Sequence, residues 1–96
     1  MSEQQINTCL SLLKIDLGIT TSAYDERLIA TVKAAAQAIT KEGASTLDAD
    51  NGLDAQLITM YASWLWNKRR SGEGMPRMLR YALNNRIFGE KMGGGQ

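Results

Sequence analysis

LDAQLITMYASWLWNKRR, residues 53–70, is the stretch whose reading decides the fold. Wound as a helix at about 100° per residue, it places Met60, Leu53, Trp64, Leu57, Tyr61, Leu65 and Ile58 on one arc covering a little under half the circumference. Such an arc suits the central wall of a small core. Both tryptophans and one of the three tyrosines are here, and burying one large side chain is worth roughly 1.5–3 kcal/mol. Asp54 falls in the first turn and Lys68, Arg69 and Arg70 in the last, the arrangement a helix dipole favours. Trp66 lies off the arc, near Ala62, Ala55 and Thr59. It needs either another helix of this chain or a partner.

The flanking segments read as three further helices. Ser2 followed by Gln5 predicts a capping box opening a first helix over about 3–14. Ile6, Cys9, Leu10 and Leu13 line one face of it, so Cys9 reads as a small core residue rather than a reactive thiol. Gly18 ends the pattern. Ser22 with Asp25 (S-x-x-D) predicts the start of a second helix, 22–42, closed by Gly43. Its inner stripe is Leu28, Val32, Ala35, Ala36 and Ile39. A separate row, Ala30, Ala34 and Ala38, is either a solvated face of high helix propensity or a smooth surface for another helix. Residues 44–51 read as an acidic loop with Leu47 as its apolar anchor. Asp48, Asp50 and Asp54 lack the remaining ligand positions of an EF-hand, so they read as capping groups.

After the central helix, 52–70, SGEGMP breaks the chain, and Pro76 suits the first turn of a last helix, 76–88. That helix buries Leu79, Ala82, Leu83 and one of Ile87 and Phe88, and presents Arg77, Arg80 and Arg86 outward. The end of the chain, 91–96, reads as a mobile glycine-rich tail. No strand-like alternation appears. The expected fold is all-α, a bundle of four helices in a single domain, 1–90.

At 96 residues and 44% hydrophobic, the chain has the composition of one globular domain. No apolar run approaches the ~18 residues of a membrane span, and MSEQQINT carries no export signal. A lone cysteine fits a reducing compartment. With no histidine, the chain has neither the usual zinc ligand set nor a Ser–His or Cys–His pair. Walker, GxGxxG and paired-carboxylate signatures are missing as well. The expectation is a non-enzymatic protein without cofactor or metal.

Charge is the positive signal. Residues 1–67 carry four basic against eight acidic side chains, a net −4. Residues 68–96 carry seven against two, a net +5. A basic third of this kind is a solvated face, a phosphate contact or an oligomer interface. A head-to-tail contact between unlike surfaces closes into a ring when the rotation permits.

The segments LLKIDLGI (12–19), YDERL (24–28), IATVKAAAQAI (29–39), MYASWLWNKRR (60–70) and above all MPRMLRYALNNRIF (75–88) resemble the small head–tail connector proteins of tailed bacteriophages, the head-completion or DNA-packaging adaptors. The resemblance spans about residues 6–88. It implies a helical protomer that assembles as a dodecameric ring beneath the portal at the capsid vertex of the virion, and the isolated protein is expected to be a monomer whose ring closure waits for the portal. There it would extend the DNA channel, retain packaged DNA and dock tail or stopper proteins, without catalysis. Position supplies the candidate residues: Ala30, Ala34, Ala38 and Trp66 for subunit contacts, and Arg69, Arg70, Arg77, Arg80 and Arg86 for portal, neighbour or DNA. The competing expectation is a small cytoplasmic DNA-binding regulator that inserts helix 76–88 into a groove.

Overall fold

A computed structural model describes residues 1–94 and places them in four helices: α1 (Glu3–Leu17), α2 (Asp25–Glu42), α3 (Gly52–Ser71) and α4 (Arg77–Gly94). No strand occurs among the described residues. The all-α, four-helix expectation holds. α3 packs against α1, α2 and α4, while α4 touches mainly α3. The molecule is flat, 45 × 30 × 18 Å, about two helices thick.

The helix ends follow local chemistry, with three corrections. At α1 the capping box forms: the Ser2 hydroxyl accepts from the Gln5 N–H at 3.1 Å and the Gln5 side chain accepts from the Ser2 N–H at 2.9 Å. The helix continues past the expected end at Lys14 to Leu17. Gly18, at φ 70°, then turns the chain and lets Ile19 N–H reach the Lys14 carbonyl.

The cap expected at Ser22 is absent. α2 begins at Asp25, its N-cap position is Tyr24, and no side chain caps it. Asp25 instead accepts from Lys14 Nζ at 2.8 Å. A charge-assisted bond to α1 outcompetes the backbone N–H groups of its own turn. At the other end Gly43 sits at φ 134°. A Cβ there would lie 3.0 Å from Ile87 Cγ2 of α4, so this glycine also permits a close approach.

In the 44–51 connection Ala44 and Ala49 are buried and Leu47 only partly. Asn51 caps α3, its side chain accepting from the N–H groups of Leu53 and Asp54.

The predicted face of α3 needs correcting. Its buried residues are Asp54, Ala55, Leu57, Ile58, Thr59, Tyr61 and Ala62. Leu53, expected in the core, is 77% exposed, and Met60, Trp64 and Leu65 are half-buried. Ala55, Thr59 and Ala62, expected on the far side with Trp66, are inside. A helix with neighbours on several sides has no single apolar arc, and small residues lie where those neighbours come closest.

In α4, Leu79 and Leu83 are buried and Ile87, not Phe88, is the partly buried member of its pair. The helix continues beyond the expected end at Phe88 to Gly94. Of the expected tail, 91–96, residues 95 and 96 lie outside the described residues.

Candidate interaction surfaces

The most closely bonded site is built around Asp54. It is 4% exposed on the first turn of α3 and faces Arg86 of α4. Arg86 Nε donates to one carboxylate oxygen at 2.8 Å and Nη2 to the other at 3.3 Å, a fork-to-fork pair. Asp54 also accepts from the Asp48 N–H at 3.0 Å, and Arg86 Nη2 donates to the Thr46 hydroxyl at 3.1 Å.

One turn further along α4, Glu90 takes four donors from the 45–46 loop. These are the Ser45 N–H at 2.7 Å, the Ser45 hydroxyl at 2.8 Å, the Thr46 N–H at 2.6 Å and the Thr46 hydroxyl. Arg86 Nη1 lies 3.5 Å from the same carboxylate. The bonds from the Thr46 hydroxyl and N–H, followed by those of Ser45, hold the Glu90 carboxyl down at about 2. The hydrogen bond to Asp54 raises Arg86 further above its ordinary value. Arg86, expected to face outward, is therefore turned inward as a clasp between helices. Glu90, beyond the expected end of the last helix at Phe88, is the other half of that clasp.

Beside the clasp, α3 and α4 diverge and leave an open groove of about 920 Å³. Leu53, Leu57 and Met60 form one wall, and Met78 and Ala82 the other. Leu53 and Met78 are among the most exposed large apolar side chains, at 77% and 74%. Tyr81, Phe88 and Met92 extend exposed apolar surface over the outside of α4. Together Met78, Tyr81, Phe88 and Met92 give α4 a second stripe, at spacings of three, seven and four, roughly opposite its core stripe.

The remaining candidates divide. Ala30 and Ala34 are exposed on α2 and Ala38 is half-buried against the core. Trp66 is half-buried and meets a helix of its own chain, the Tyr24 ring at the start of α2 lying edge-on at 6.1 Å. The Arg69 guanidinium lies over the Trp66 ring, 5.9 Å from its centroid. Trp64 packs edge-on to Tyr61 and donates to the Glu73 carbonyl at 3.3 Å. Arg80 pairs with Glu42 at 3.4 Å, whereas Arg69, Arg70 and Arg77 are exposed. Cys9 is enclosed, and burial raises its thiol.

Among the described residues no group of three His, Cys, Asp or Glu side chains could hold a metal ion, and no helix is long and apolar enough to cross a membrane. No protein-family model, curated protein or solved structure matches the chain.

Proposed function

We propose that this protein is a structural connector, a helical protomer that joins copies of itself into a ring under the portal of a tailed bacteriophage. In that role it extends the DNA channel, helps retain packaged DNA and offers a docking surface to tail proteins. The reading rests on the resemblance of residues 6–88 and on a single structural observation. The α3–α4 groove and the outer stripe of α4 leave Leu53, Met78, Tyr81, Phe88 and Met92 in water. Apolar surface gathered in this way on a small chain marks an interaction site, and a groove between two helices suits a third. The exposed arginines of the basic part, Arg69, Arg70 and Arg77, favour a contact with an acidic surface of a neighbour.

Reading DNA with α4 is the less favoured alternative. A groove-reading helix needs a free basic face, but Arg86 is tied to Asp54 and Arg80 to Glu42. The proposal is tested by mixing the purified protein with portal-bearing, DNA-filled capsids and following co-sedimentation across a salt series. Stoichiometric retention on the vertex is the expected result. Failure to bind at every salt concentration overturns the reading.

A further inference from the structure

A second hollow, of about 260 Å³, opens where α2 begins and α3 ends, lined by Tyr24, Arg27, Trp66, Arg69 and Arg70. Three arginines line it. Among the described residues none of the three lies within ion-pairing distance of a carboxylate: the four pairs present engage Lys14, Arg80 and Arg86. Gathering like charge in one concavity is unfavourable unless an anion answers it.

Carbonyls at the end of α3 offset Arg69 and Arg70 in part, since cations suit a helix C-terminus. Arg27 has no such relief. It occupies the first turn of α2, the positive end of that helix. The same turn has no side-chain cap, so no side-chain oxygen accepts from its N–H groups. Asp25, the nearest carboxylate in sequence to supply one, is turned to Lys14, and Glu26 is not part of the lining.

The aromatic pair settles what kind of anion fits. The Arg69 guanidinium lies over the Trp66 ring, while Tyr24, 46% exposed, leaves part of its ring open to solvent. Forked cations beside an open ring recognise a phosphate ester joined to a planar group. We infer that this hollow is a nucleotide site. Arg27, Arg69 and Arg70 hold the phosphate and the base lies against Tyr24. The inference does not require ring assembly. Capsid binding without nucleotide binding overturns it alone, and nucleotide binding without capsid binding overturns only the connector reading.

The test uses the intact isolated protein. A fluorescein-labelled oligothymidylate is followed by anisotropy over a salt series, and thymidine monophosphate by tryptophan quenching and by competition. One phosphate neutralised on a single strand gives a log–log salt slope of about −0.7. Arg27→Gln weakens binding about tenfold, the share of one charge-assisted contact, and flattens the slope toward zero. Arg69→Gln does the same, so the result does not hang on one variant. Lys33→Gln, elsewhere on α2, leaves both quantities unchanged. Competition by the monophosphate shows that a free nucleotide suffices. Binding of the oligomer alone shows that the site takes a strand, and either result supports the inference. Native-like binding by both arginine variants overturns it. Equal displacement of the oligomer by a polyglutamate peptide of the same charge also overturns it, since the hollow would then accept an acidic protein segment.

Discussion

Glu90 is a surface glutamate whose carboxyl is held at about 2 by four donors from one loop. Its folded value lies below its ordinary value of 4.5, so the unfolded chain takes up the proton first as pH falls. The stability Glu90 contributes is therefore fully present above about pH 4.5 and is lost between there and about pH 2. Urea midpoints measured across that range should fall in the native protein. In Glu90→Gln this component of the decline should be missing, with a lower midpoint already at pH 7. Asp54 is the more costly position. Asp54→Ala leaves the Arg86 guanidinium, 22% exposed, without its main partner, and removal of one member of a buried pair costs about 3 kcal/mol. Chemical denaturation measures it. Replacing both, Asp54→Leu with Arg86→Met, should recover much of the loss, because no charge is then stranded.

Among the elements, α4 is the one held by the fewest contacts to the rest, and its attachment is concentrated at a few points. Leu79 and Leu83 supply the apolar seat, Arg86 and Glu90 the polar clasp, and Gly43 allows Ile87 to come in close. Gly43→Ala meets two obstacles, a φ of 134° and the Ile87 methyl at 3.0 Å. It should destabilise by more than about 1 kcal/mol. Ile87→Ala in the same background should remove the steric part and leave the backbone part, which a double-mutant cycle separates.

Helix identity was legible in the sequence because it rests on local rules. The Ser2–Gln5 box, Gly18, Gly43 and the SGEGMP break act within a few residues, and each marks an end of a helix or the gap between two. Three boundaries moved because a more distant or stronger partner intervened. Asp25 chose Lys14 over its own backbone. Leu17 was carried on by the α1 turn until Gly18. Phe88 was passed because Glu90 found its donors on another segment.

For the whole molecule, the unequal grip on α4 explains where apolar surface is left over. Three helices close a core on Leu13, Leu28, Ile39 and Ile58, and α4 covers only one side of α3. Leu53 and Met78 border the resulting groove. If that groove is where copies or partners meet, Leu53→Gln and Met78→Gln should abolish capsid retention while leaving the thermal midpoint within a few degrees of the native value, since neither side chain is in the core. A large drop in the midpoint would instead make them fold residues.

What the sequence determined by itself was the number and kind of elements, the two-ended charge and the absence of histidine. These depend on composition and on neighbours within a turn or two. Only the tertiary structure decided which side of α3 is inside, that Arg86 faces Asp54 rather than solvent, and that Arg27 joins Arg69 and Arg70 across 42 positions of chain. Those outcomes depend on how far each helix is rotated against its neighbours. That rotation is set by side chains distant in sequence, on which the spacing within a single helix is silent.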